Sequence, residues 1–148
     1  MAENYHQAYD EALSICQSDL PNLGEAHKLL LLAHGENDYS ATYALASWYL
    51  NGRYLKKDLF EATRLLTLAA DNNVPNALYD LAISYETGAI VEKNEATAFK
   101  CYMRAALLGE HQSIYEVGMC YCYGIGIEKD ESMAEIFFDI AAYNDIFD

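Results

Sequence analysis

Proline is nearly missing from this chain, with two among 148 residues, and glycine is sparse at eight. An all-β protein needs a turn every eight to twelve residues or so, and that supply of turn formers is too small to build one. Basic residues are also scarce: nine lysines and arginines stand against 23 acidic residues, for a formal charge of −14. Such a surface repels phosphate backbones and anionic lipid headgroups, so neither nucleic acid nor a membrane is an expected partner. The imbalance is uneven, since Met1 to Gly52 holds one basic residue, Lys28, and Asp130 to Asp148 holds none. Both ends are expected to be strongly acidic. A basic protein surface is the natural complement, and acidity that only aids solubility is the alternative.

Long apolar runs are absent too, and no segment approaches the ~20 residues of a membrane span. Met1-Ala2-Glu3-Asn4-Tyr5-His6 has no basic stretch leading into an apolar run. No secretion signal is therefore expected, and the expected location is cytoplasmic. Cys16, Cys101, Cys120 and Cys122 contain no CxxC pair, and Cys120-x-Cys122 lacks a second ligand pair for zinc. Reduced thiols fit best. The four histidines, His6, His27, His34 and His111, show no His-x-x-x-His or His-Glu-x-x-His spacing. His27 and His34 are seven apart and are read as surface or groove histidines rather than ligands. Gly124-Ile125-Gly126 has no lysine-serine pair after it, so a turn explains it better than a phosphate loop. No catalytic residue, metal or cofactor is expected, and the chain is read as a non-enzyme.

What the chain does have is a 53% apolar composition, 13 tyrosines and a repeat. Aligning residues 41–76, 77–112 and 113–148 without gaps superposes Tyr43, Tyr79 and Tyr115, then Leu45, Leu81 and Val117, then Tyr49, Tyr85 and Tyr121. Gly52, Gly88 and Gly124 coincide, as do Asp58, Asn94 and Asp130, then Ala62, Ala98 and Ala134. The pairs Ala69-Ala70, Ala105-Ala106 and Ala141-Ala142 close the pattern. A fourth, eroded copy at 5–40 keeps Asn22, Ala26, Leu29, Leu30, Ala33 and Asn37 in register, as expected of a capping repeat with one neighbour.

Within one repeat, Ala41, Leu45 and Tyr49 form a stripe four residues apart, predicting helix A up to Gly52. Asp58 is placed to cap helix B, with Glu61 completing a capping box, and Ala62, Leu65, Leu66, Ala69 and Ala70 form its buried stripe. Asn73, Gly109 and Asp145 share the column where helix B should end, since these types tolerate the left-handed conformation. The predicted class is all-α, a right-handed α–α superhelical solenoid of helix–turn–helix repeats, three clear and one degenerate, forming a single domain over 1–148.

At these columns each repeat resembles a Sel-one-like repeat, a relative of the tetratricopeptide repeat. The family pattern is roughly A-x-Y-x-L-G-x-x-Y-x-x-G-x-G-V, then aspartate, K-A, an aromatic pair and A-A-x-x-G. The third copy matches best, through Val117-Gly118, Tyr121, Gly124-x-Gly126-Ile127, Asp130, Ala134, Phe137-Phe138 and Ala141-Ala142. Tyr54 and Ile90 replace the second turn glycine in the other copies, and Ala46 and Ala82 replace the helix A glycine. Disulfide-rich relatives place cysteines where Ala106 and Ser113 stand here, so that subfamily and its suggested penicillin-binding role are not implied.

The resemblance implies a protein-binding adaptor, regulator or inhibitor whose helix A lines the concave side. The non-core face of helix A then recurs as Tyr43, Ser47 and Leu50, as Tyr79, Ile83 and Glu86, and as Tyr115, Met119 and Cys122 beside Tyr123. Partner recognition and packing between repeats both stay open for the tyrosine column. Phe137, Ile140, Tyr143, Ile146 and Phe147 make the last helix apolar on nearly all sides, a candidate face for a homodimer. Two functions compete: a cytoplasmic immunity protein that binds and neutralises a secreted antibacterial toxin, and an intracellular adaptor or regulatory scaffold.

Overall fold

The helices step along the chain at the spacing of the sequence repeat. A computed structural model describes the backbone of residues 3–147 and the side chains of 7–145. Among the described residues there are eight helices and no strand: α1 (Glu3–Gln17), α2 (Leu23–Gly35), α3 (Tyr39–Asn51), α4 (Leu59–Asp71), α5 (Pro75–Thr87), α6 (Glu95–Leu107), α7 (His111–Tyr123) and α8 (Glu131–Phe147). From α3 to α5 to α7, and from α2 through α4 and α6 to α8, each start falls thirty-six residues after the last. Helix A begins at Tyr39, Pro75 and His111, two residues ahead of Ala41, Ala77 and Ser113.

The chain divides into two compact units, Met1–Asn72 and Asn73–Asp148. In the first, α1 packs on α2, α2 on α3 and α3 on α4; in the second, α5 packs on α6, α6 on α7 and α7 on α8. All five residues of the α4 stripe, Ala62, Leu65, Leu66, Ala69 and Ala70, are buried, facing Ala41, Leu45 and Ala46 of α3 across the hairpin. The second unit repeats this with Ala77, Leu81 and Ala82 against Ala98, Tyr102 and Ala105. Alanine recurs because two helices approach closely only where side chains are small. Each fully buried leucine contributes about 1.5–3 kcal/mol.

Helix A stops where glycine allows a left-handed residue: Gly52, Gly88 and Gly124 have φ of 66°, 74° and 70°. Helix B starts on a side-chain cap, since Asp58, Asn94 and Asp130 accept from the N–H of Glu61, Thr97 and Met133 at 3.1, 3.0 and 3.0 Å. The expected capping box is only half built. The Glu61 carboxylate accepts from Arg64 instead, and the Asp58 N–H that it would have served already donates to the Tyr49 carbonyl at 3.0 Å. That tie recurs from Asn94 to Tyr85 and from Asp130 to Tyr121, so the tyrosine column anchors each hairpin through its backbone.

Two turns differ from the pattern. Asn73 and Gly109 are left-handed as expected, and Asn37 in the same column is too, whereas Asp145 lies inside α8, which contains neither glycine nor proline to stop it. Of the residues in the second turn-glycine column, Gly126 and Tyr54 have φ of 70° and 61°, and Ile90 is not left-handed. A Cβ on Gly126 would lie 2.0 Å from the Glu95 carbonyl oxygen, so this loop presses on the start of α6. In the first unit Tyr54 lies over the start of α2, where Gly24 makes room. The glycine has moved from the loop to the helix beneath it.

Candidate functional site

In the second unit, α5 and α7 bring the helix A tyrosines together with carboxylates. Tyr79 on α5 is half-buried, its ring 6.0 Å from that of Tyr102 on α6. The Tyr102 ring is buried, yet its hydroxyl crosses to α5 and donates to Glu86 Oε2 at 2.7 Å. Tyr115 on α7 is 50% exposed and leans on Phe138 of α8, with ring centroids 5.4 Å apart. That approach is possible because Gly118 lacks a side chain; a Cβ there would lie 2.6 Å from the Phe138 ring. Between these elements opens a cleft of about 290 Å³, lined by Tyr79, His111, Gln112, Tyr115, Glu116, Ala141 and Asp145.

The field in this region is negative. Burial, then the nearby Glu86 and Glu110, holds the Glu116 carboxyl above the usual carboxylate range. The Tyr79 hydroxyl is raised by burial and then by Glu116, Glu110, Asp80 and Glu86. On α7, burial followed by Glu86, Glu116 and Glu95 pushes the Cys120 thiol up to about 12, which leaves it protonated and a poor nucleophile at neutral pH. Glu110 also caps α7, accepting from the N–H of Gln112 and Ser113 and from the Ser113 hydroxyl. An arrangement of tyrosine faces with partly desolvated carboxylates is suited to holding a positive group.

The first unit presents a different face. Tyr43, Ser47 and Leu50 are half-buried, and the Ser47 hydroxyl donates to its own helix at the Tyr43 carbonyl. His27 and His34, expected on the surface or in a groove, are half-buried and packed against α3 and the loop that follows it. His27 stacks on Trp48 at 6.0 Å and meets Tyr54 at 5.5 Å, while His34 Nδ1 lies 2.7 Å from the Thr42 hydroxyl. The Arg53 guanidinium lies over the Trp48 ring.

Of the other expected residues, Ile83 and Tyr123 are exposed, Met119 and Cys122 half-buried. Ile136, Ile140 and Tyr143 leave an exposed stripe on α8, whereas Phe137 is half-buried and stacks on Tyr121, so it belongs to the hairpin packing. The side chains of Ile146 and Phe147 lie outside the described residues. Cys16, Cys101, Cys120 and Cys122 form no disulfide among the described residues. Among the described residues no group of three or more His, Cys, Asp and Glu could hold a metal ion, and no helix is long and apolar enough to cross a membrane. Sequence reasoning passed over Tyr102, Glu110 and Glu116. A trace was there: the Glu116 column reads Ala44, Asp80, Glu116, with acid growing along the chain.

Comparison with known proteins agrees with this architecture. The Sel1 repeat model matches residues 40–74, 75–110 and 111–145. A solved Sel1 repeat protein from Oxalobacter formigenes is 36% identical, with a TM-score of 0.75 over 78% of this chain and 86% of that one. Cysteine rich protein B of Helicobacter pylori is 26% identical, with a TM-score of 0.65 over 76% of this chain and 88% of that one. The protective antigen c5321 of uropathogenic Escherichia coli, which displays the same type of fold, is 24% identical with a TM-score of 0.85. That match takes in 97% of this chain but 32% of the antigen, so the chain spans about a third of its length. No curated protein sequence matches. The fold class is thus the all-α helical-repeat solenoid.

Proposed function

We propose that this chain, which belongs to the Sel1 repeat family, binds a basic protein through the helix A face of residues 73–148. Sel1 repeat proteins are in general non-catalytic scaffolds that bind other proteins. The observation that supports the finer reading is the cleft where Tyr79, Tyr115 and Glu116 meet. Half-exposed tyrosine offers a large contact area at low entropic cost, and buried aromatic anchors carry most of the energy of typical interfaces. The formal charge of −14 supports a basic partner, whose approach it would accelerate.

Two biological settings fit such a module. An intracellular adaptor or regulatory scaffold is the plainer one and follows from the family. Inhibition of a secreted antibacterial toxin, as a cytoplasmic immunity protein, is the narrower one, motivated by acidity that would plug a basic active site. In both, Tyr79, Ile83, Glu86, Tyr115, Met119, Cys122 and Tyr123 are the proposed contact residues. Ile140 and Tyr143 form a proposed surface for a second copy, which a molar mass independent of concentration would remove.

Capture of the native partner with tagged wild-type protein, followed by mass spectrometry, tests the reading. A basic protein is expected, lost from the Tyr79→Ala, Tyr115→Ala double variant while helicity stays. An acidic partner, or full binding by the double variant, would overturn it. Co-expression with the product of the neighbouring gene separates the settings: rescue from toxicity supports immunity, and its absence alongside a captured signalling protein supports the adaptor.

A further inference from the structure

The cleft of the second unit has a size and a lining that specify more than a generally basic partner. Its volume of about 290 Å³ lies at the bottom of the range for small-molecule sites, about 300–1,000 Å³. One long side chain suits it better than a whole ligand. Two of its walls are tyrosine rings, of which Tyr115 is half-exposed and Tyr79 is fixed from behind by Tyr102. Glu116 supplies a carboxylate within the same lining, and Glu86 and Glu110 add negative potential nearby. His111 and Asp145 complete the titratable groups of the lining.

Resting on the reading above, we infer that the cleft between Tyr79 and Tyr115 takes a single arginine side chain from the partner, its guanidinium facing the rings and pairing with Glu116. Arginine is favoured over lysine because a planar guanidinium stacks on aromatic faces, is weakly hydrated, and can meet a carboxylate with two parallel hydrogen bonds. Charge complementarity is local as well as global. Glu116 is partly desolvated and crowded by two like charges, so in the free protein it lacks the compensation that a cationic guest brings. The first unit has no counterpart, since Ala44 and Leu50 fill the columns of Glu116 and Glu86.

The test is an NMR titration of the full chain with acetyl-Gly-Ser-Arg-Ser-Gly-amide and with the same peptide carrying citrulline, which keeps the shape and loses the charge. The arginine peptide is expected to shift the amides of Tyr79, Tyr115 and Glu116, and the citrulline peptide to leave them in place. Glu116→Gln should weaken binding about tenfold, as expected for loss of a charged hydrogen-bond partner. Glu92→Gln, which removes the same charge from an exposed loop, should change nothing, and Tyr115→Leu should weaken binding without loss of helicity. Shifts spread over exposed carboxylates, equal binding of citrulline, or indifference to Glu116→Gln would each overturn the arginine site. A native partner that binds Glu116→Gln as well as wild type would also sink this site while leaving the protein-binding reading standing. Failure of wild type to capture any partner would sink that reading instead.

Discussion

Residues 1–72 and 73–148 are built from one thirty-six-residue plan, yet their helix A faces have diverged in chemistry. The columns that hold the hairpins are the same in both: alanine where helices touch, glycine at the end of helix A, aspartate or asparagine at the start of helix B. The columns facing away from the hairpin core read Ala44, Ser47 and Leu50 in the first unit, and Glu86, Glu116 and Met119 among others in the second. Net charge follows, with ten acidic residues against five basic in the first unit and thirteen against four in the second. The first unit gathers His27 and Tyr54 around the buried Trp48. The second turns Tyr79 and Tyr115 toward a cleft. Positions under packing constraint are copied, and positions free of it are where a partner can be specified.

The sharpest way to break this comparison is at the second turn. Gly126→Ala would drive a methyl group into the Glu95 backbone and add left-handed strain, with an expected loss of about 3 kcal/mol. Tyr54→Gly in the first unit relieves strain at φ 61° but forfeits ring contacts with His27 and Trp48, so the two effects should cancel to within about 1 kcal/mol. Urea midpoints followed by circular dichroism compare them. Equal losses at both positions would mean that the glycine has not changed sides.

Packing beneath the cleft comes next. Gly118→Ala should cost about 2 kcal/mol because the Phe138 ring has to move, and Phe138→Leu in the same chain should recover part of that loss. The same register pairs Ala46 with Leu66 and Ala82 with Tyr102, all buried, so the other two hairpins accommodate alanine at this column. If the double variant is no more stable than the sum of the singles, Gly118 has another function. Helix caps should lose less: Asp130→Ala is expected to cost about 1 kcal/mol, and Glu61→Ala under about 0.5 kcal/mol because its carboxylate completes no capping box. Thermal melts separate the two.

Period, helix types, the buried stripe of α4 and the glycine stops were legible because each rests on a side chain acting within its own hairpin. Such effects repeat wherever the residue repeats. The fate of Glu61 was not legible, since it depended on whether the Asp58 N–H was already engaged by a carbonyl from the preceding helix. Nor was the cleft, for a related reason. Tyr102 lies in a helix B column that reads leucine in one repeat and phenylalanine in another, so it looked like core; its hydroxyl reaches Glu86 only because α5 and α6 are packed together. Glu116 counted as one more acid on an acidic chain until burial and two neighbouring glutamates set it apart.

The smallest effect distinguishes the units by sign. Glu116 has a carboxyl raised by burial, Glu86 and Glu110, with Tyr79, His111 and Asp145 also at its cleft. The folded state therefore holds the Glu116 proton more tightly than the unfolded chain does. Its stabilising contribution is complete below the ordinary glutamate range and is lost as pH rises through the raised value, so at neutral pH ionised Glu116 weakens the fold. Glu116→Gln should then raise the melting temperature slightly at pH 7, and the gain should vanish as pH falls through the carboxylate range. Glu61 in the first unit runs the other way, because hydrogen bonds from Arg64 lower its carboxyl. Its stabilisation is present above the ordinary glutamate range and lost as pH falls through the lowered value, so Glu61→Gln should lower the melting temperature slightly at pH 7 and have no effect in acid. Opposite signs at pH 7 that converge in acid are the expected result. A loss of stability in Glu116→Gln at pH 7 would show that its carboxylate is already compensated within the free protein, and would remove the reason for a cationic guest.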